Sequence, residues 1–187
     1  MSIKKSGFTL VEIMVAVSIF TVVAVIATGA VITANNINKR SQAIKLVVDN
    51  LNFALDSLTL KLKQGGGYYC DSDATNVYPV GADSRNCSGE SRLAFRVEDG
   101  AGSYDYYIYL FSGNKLQFSK GVGSSASMSP LVPITADDVN INSGRFYVFD
   151  NGLPDKQPRA LISVYGTATA GKQSSSFAVE TTVSDRR

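Results

Sequence analysis

The chain has 187 residues, enough for one domain and an appendage, with 18 lysine and arginine residues against 16 aspartate and glutamate. A net charge of +2 without a cluster of basic residues argues against an electrostatic grip on nucleic acid. The absence of histidine removes Ser-His-Asp, Cys-His and imidazole-metal chemistry. Lys4 and Lys5 come first, then Ser6-Gly7, and then 25 residues, Phe8 to Ile32, with Glu12 as their only charge. As a helix this run is roughly 37 Å long, enough to cross a bilayer core of about 30 Å with tilt. Two lysines before it and no basic cluster just behind it place the N-terminus in the cytoplasm and the bulk of the chain outside. Glu12 is the anomaly, because a carboxylate in lipid costs roughly 2.5–3.5 kcal/mol and needs a compensating partner. A secretory signal would have a shorter apolar core with its small-residue cut behind it, whereas here the small residue precedes the run. An uncleaved anchor would have no use for a carboxylate so near its start.

The stretch Lys-Ser-Gly-Phe-Thr-Leu-Val-Glu, ending at Glu12, resembles the processing motif of the type IV pilin and type II secretion pseudopilin family. The resemblance implies a leader, residues 1–7, removed after Gly7 by a prepilin peptidase that also methylates the new amine of Phe8. It implies a transmembrane and assembly helix over 8–32, in which Glu12 meets the N-terminal amine of a neighbouring subunit. A glycine at the cut suits a chain that must enter a protease site extended. The implied partners are other pilin or pseudopilin subunits, the peptidase and an inner-membrane assembly platform. The implied location is the cytoplasmic (inner) membrane, single-pass, and then a pilus or pseudopilus. Loss of Lys4 and Lys5 with the leader would leave 16 basic and 16 acidic residues. The function expected is that of a structural subunit, not an enzyme. The alternative is a tip-displayed adhesin or DNA-uptake (competence) module with the same anchor.

Beyond the anchor, residues 33–64 contain no proline and change from uniformly apolar to amphipathic. Ile44, Val48, Leu51, Leu55, Leu58 and Leu62 form one helical stripe expected to pack on the chain's own sheet, with a coiled coil to another chain as the lesser reading. Gly65-Gly66-Gly67 ends a helix of about 55 residues, roughly 80 Å long. Residues 65–187 then read as an antiparallel β-domain, giving an α+β, pilin-like fold of a long helix on six or seven strands. Strands are predicted over 93–97, 104–111, 115–119, 145–150, 160–167 and 176–184. Ser112-Gly113-Asn114 is read as a hairpin turn and 169–175 as a turn before the last strand. Segments 68–90 and 121–129 read as loose, the second being nearly all Gly, Ser and Ala.

Cys70 and Cys87 bracket a polar loop, which outside the cytoplasm is most simply a disulfide; a metal site would want more ligands nearby. Two acidic turns are calcium candidates, Asp71, Asp73 and Asn76 in one, and Asp150, Asn151 and Asp155 in the other. Some pseudopilins bind calcium in such a loop, and a solvated turn explains both equally well. The carboxylate pairs Asp137-Asp138 and Glu98-Asp99 read as turns, not as acid/base couples. Tyr104, Tyr106, Tyr107, Tyr109 and Phe111 put rings on both faces of one strand, one face for the helix and the other for a partner or a covering loop. The anchor has Gly29 where many major pilins have a mid-anchor proline. Gln157-Pro158-Arg159-Ala160-Leu161 resembles the start of a strand common in larger, tip-located minor pseudopilins, which favours a minor subunit.

Overall fold

A computed structural model describes residues 7–78, 86–122, 128–149, 158–170 and 173–184. Among the described residues one helix, α1 (Leu10–Gln64), leads into nine strands. These are β1 (Gly65–Asp71), β2 (Cys87–Glu90), β3 (Arg92–Glu98), β4 (Tyr104–Ser112), β5 (Lys115–Val122), β6 (Val132–Pro133), β7 (Val139–Phe149), β8 (Arg159–Ala170) and β9 (Gln173–Ser184). They form two antiparallel sheets, not one: a five-stranded sheet in the order β1-β3-β4-β5-β6 and a four-stranded sheet in the order β2-β7-β8-β9. The chain passes from the first sheet to the second between β1 and β2, back at Ser91 between β2 and β3, just after the segment 68–90 that reads as loose, and over again between β6 and β7. The long helix on antiparallel sheets is the pilin-like α+β architecture that the sequence suggests.

The second half of α1 is docked and the first half is not. Its buried residues are Ala43, Val47, Leu51, Ala54, Leu55, Leu58 and Leu62. Ile44 and Val48, expected in the stripe, are each 43% exposed. The docked face begins instead with Ala43 and Val47, one residue earlier along the helix at both steps, so the larger pair falls to the flank. Leu51, Leu55, Leu58 and Leu62 are buried as expected, in one core cluster with Phe95, Tyr107 and Tyr109 of the first sheet and Phe146, Ile162, Val164 and Val183 of the second. The helix stops where the three glycines begin, and its last carbonyls are capped. The Gly65 amide donates to the Leu62 carbonyl, and the Tyr68 hydroxyl lies 2.8 Å from the same oxygen and 3.0 Å from that of Gly65.

Strand edges depart from the sequence reading mainly by extension. β7 begins at Val139, and β8 and β9 pair continuously from Arg159↔Ser184 to Ala170↔Gln173, so the broad turn expected over 169–175 is largely ladder. Short Ala, Ser and Thr side chains there look like turn composition but fit a strand equally well. The hairpin between β4 and β5 turns through Gly113 and Asn114, both at positive φ, with Ser112 opposite Lys115. This is the type I′ geometry that matches strand twist.

Both faces of β4 are packed. Toward the helix, Phe95 stacks on Tyr107 and Tyr109 at 5.5 and 6.1 Å between centroids. The Lys61 ammonium lies 5.5 Å over the Tyr107 ring. On the other face Ala94, Tyr106 and Ile108 are covered by Tyr78, with Met128 and Leu131 packed alongside, so these rings are core and not a free partner surface. Burial pushes the Tyr78 hydroxyl up to about 12 and raises that of Tyr109 as well, against a smaller opposing effect of its hydrogen bond with Ser57. Their unfolded value is 10. Folded-state protons are therefore held more tightly, and stability present below pH 10 is lost as pH rises toward the folded values. Urea midpoints should fall from about pH 8 to about pH 11, and Tyr78→Phe, which packs alike but cannot ionise, should flatten part of that fall.

Candidate functional site

The N-terminal site is built by the helix start. Thr9 is the N-cap, with extended backbone, and Glu12 occupies the third helical position. The Glu12 amide donates to Thr9 Oγ1 at 3.3 Å, and Glu12 Oε2 accepts from the Thr9 amide at 3.1 Å and its hydroxyl at 3.0 Å. This reciprocal capping box satisfies helix-end donors that lipid could not. Its Thr-x-x-Glu spacing was legible in the sequence, but the reading of Glu12 as an assembly carboxylate overlooked it. Gly7 and Phe8 lie just outside the cap, and Phe8 is 83% exposed.

Behind the cap the helix is chemically ready for hydrocarbon. No residue of α1 before Ala43 is buried against the domain. Ser18, Thr21, Thr28 and Thr33 each donate a side-chain hydroxyl to the carbonyl four residues back, at 2.7–2.9 Å. None of these hydroxyls is left unpaired in an apolar surrounding. The helix is long and apolar enough to cross a membrane.

The cysteines are joined, Cys70 at the end of β1 to Cys87 at the start of β2, with Cα atoms 5.7 Å apart. The bond ties the two sheets together and closes a loop worth about 3 kcal/mol in the chain-entropy picture. Both sulfurs face the core, so neither offers a thiolate to a metal. In the first calcium candidate the Asp71 carboxylate is engaged by a protein cation. Arg92, 4% exposed, donates to Asp71 Oδ2 at 2.5 Å, to Thr75 through its carbonyl at 2.7 Å and hydroxyl at 2.9 Å, and to the Val77 carbonyl at 3.2 Å. Asp71 Oδ1 accepts from the Asp73 amide, and Asn76 donates to the Ser129 carbonyl. The guanidinium clamps the loop through Asp71, Thr75 and Val77. The second candidate, Asp150, Asn151 and Asp155, lies outside the described residues. Asp99 closes a turn by accepting from the Ala101 and Ser103 amides, and Asp137 pairs with Lys115 at 3.5 Å, which fits the turn reading of both carboxylate pairs.

Removing the clamp should be costly. Arg92→Ala leaves Asp71 and two carbonyls without their buried donor, and we expect a loss of about 3 kcal/mol, read as a lower urea midpoint. Arg92→Lys, a point charge that cannot span the four acceptor atoms, should recover only part of it.

The family model of the prokaryotic N-terminal methylation motif matches residues 3–28, which span Gly7, Phe8 and Glu12. No curated protein and no solved structure matches the chain. With that motif at the head of an apolar helix and an α+β domain of pilin-like architecture behind it, the chain carries the prepilin signature of type IV pilins and pseudopilins.

Proposed function

We propose that the chain is a minor structural subunit of a type IV pilus or a type II secretion pseudopilus. A prepilin peptidase releases residues 1–7, methylates Phe8 and leaves the helix in the cytoplasmic membrane with the β-domain outside. The subunit then joins a filament through α1 at an inner-membrane assembly platform. The observation that carries this reading is the division of α1, with a capped, solvated apolar half that touches nothing of its own domain and a second half sunk in the core. A helix built this way has its first half available for other helices. The outward face of the docked half supports the same reading: Leu46, Phe53 and Leu60, spaced by seven, are all exposed, and Phe53 is 76% exposed. Val25 and Ile32 stand at the same spacing on the free half, and Lys39 separates that pair from the exposed apolar row of the docked half. Glu12 supplies register, because a buried carboxylate and a buried amine are each tolerable only as a pair.

Mass spectrometry of the native, membrane-extracted protein tests this directly. The expected chain begins at Phe8, carries one added methyl and is two hydrogens lighter for the Cys70–Cys87 bond. An intact Met1 start, in a cell that possesses the peptidase, would leave a signal-anchored protein and remove the assembly mechanism.

A further inference from the structure

The crossing at Ser91 leaves an open lane in the second sheet. β2 pairs with Phe146, Tyr147 and Val148 of β7 and then departs for the other sheet. Further along the same side of β7, the Ile141 amide donates to the Asn114 carbonyl in the β4–β5 turn at 2.8 Å. Between these two ties, Asn142 to Arg145 make no strand pairing on that side among the described residues. Their other side is paired with β8, with a bulge between Ile141 and Ser143. A cleft of about 340 Å³ follows this edge, with residues 141–145 forming one wall and Ser91 and the β4–β5 turn the other.

We propose that this edge binds an extended, acidic segment of a partner protein as an added strand, antiparallel to β7 and collinear with β2. An open edge offers main-chain donors and acceptors that another main chain satisfies best. Four residues of edge span about 13 Å, room for a strand of three or four residues. The charge is one-sided: Lys115 and Arg145 line the cleft and no carboxylate does. Lys115 is held by Asp137 and the Ala136 carbonyl. Arg145 is exposed, donates to the Gly89 carbonyl at 3.1 Å, and has no carboxylate within ion-pair distance among the described residues. The bulge and the cations keep the edge from pairing with a second neutral edge and select a segment that carries negative charge. The one ring at the cleft, Phe111, is stacked on Phe146 at 4.8 Å and lies against Gly144, so no flat aromatic face is offered to a sugar. This inference goes beyond the assembly reading and does not depend on the anchor.

The test uses the full-length, isotope-labelled protein in detergent micelles, titrated with acetyl-Thr-Val-Asp-Val-Thr-amide and followed by amide chemical shifts. Saturable shifts at Asn142 to Arg145, Ser91 and Asn114 are expected. A twin peptide with alternate amides N-methylated, a twin with asparagine for aspartate, and the Arg145→Glu protein should each weaken binding by about tenfold or more. The Arg145→Glu spectrum away from the cleft reports that the variant is folded. Shifts absent at millimolar peptide, or scattered away from the cleft, would overturn the site. An N-methylated twin that binds as well as its parent would overturn strand addition, and an equal asparagine twin would overturn the acidic preference.

Discussion

Glu12→Ala should yield a processed, membrane-inserted chain whose incorporation into filaments falls by about a hundredfold, the effect of leaving an unpaired amine in hydrocarbon at roughly 2.5–3.5 kcal/mol. The β-domain should be untouched, because α1 buries nothing before Ala43. Glu12 has two features that the alanine substitution removes together: it closes the capping box with Thr9 and it carries the only charge between Phe8 and Ile32. Loss of the cap alone costs about 1 kcal/mol, at the far end of a 55-residue helix from the domain. Glu12→Gln separates them. Glutamine keeps an acceptor for the Thr9 amide, since the capping box accepts either residue, but it brings no charge to a neighbour's amine. If charge sets the register, the glutamine variant fails like the alanine one, while Thr9→Ala, which loses half the box and keeps the carboxylate, assembles nearly normally. Immunoblots of sheared filaments against membrane fractions read the outcome. Wild-type incorporation of Glu12→Gln would remove the intermolecular role and leave Glu12 a helix cap.

The contrast between the two halves of the chain shows what a sequence makes legible. The helix was readable to its last residue because its signals are local: uniform apolarity, then a period near 3.6, then three glycines. The docked face was placed from apolarity alone and so favoured Ile44 and Val48 over Ala43 and Val47. Which of two adjacent columns is buried depends on where the sheets end, a tertiary fact. The hairpin at Gly113-Asn114 was legible for the same local reason as the helix stop. The division into two sheets was not, because the chain changes sheets three times, between β1 and β2, β2 and β3, and β6 and β7, and no local signal marks those crossings. β1, with three glycines, and β2, Cys-Ser-Gly-Glu, have little strand propensity and are held by pairing and by the disulfide. Arg92 had no sequence signal either: its three acceptors, Asp71, Thr75 and Val77, converge only once the loop is folded. Among site residues, Gly7, Phe8 and Glu12 were carried by a contiguous motif, and the cysteine pair by bracketing one loop.

Phe95→Ala should be the most damaging single truncation in the domain, at about 4 kcal/mol, the upper range for a fully buried phenylalanine. Phe95 is wholly buried at the centre of β3, stacked on Tyr107 and Tyr109 and 6.1 Å from the Tyr68 ring, in the cluster that receives Leu58 and Leu62 of the helix. Its removal loses apolar transfer, ring–ring contact and the packing that joins the first sheet to α1. Tyr68, whose hydroxyl caps the helix end, loses its ring contact with Phe95 as well. The neighbouring glycine makes the argument sharper. A Cβ at Gly65 would lie 2.7 Å from the Phe95 ring, so Gly65→Ala should itself cost about 1–3 kcal/mol by overpacking. With Phe95 already truncated, the added methyl enters the space the ring has left, and the second substitution should cost much less than it does alone. Urea unfolding of the four proteins in one detergent gives the coupling directly, and we expect it to exceed about 1 kcal/mol. Strict additivity would mean that the helix end and β3 do not meet at this ring, and the account of how α1 is fixed to the domain would fall with it.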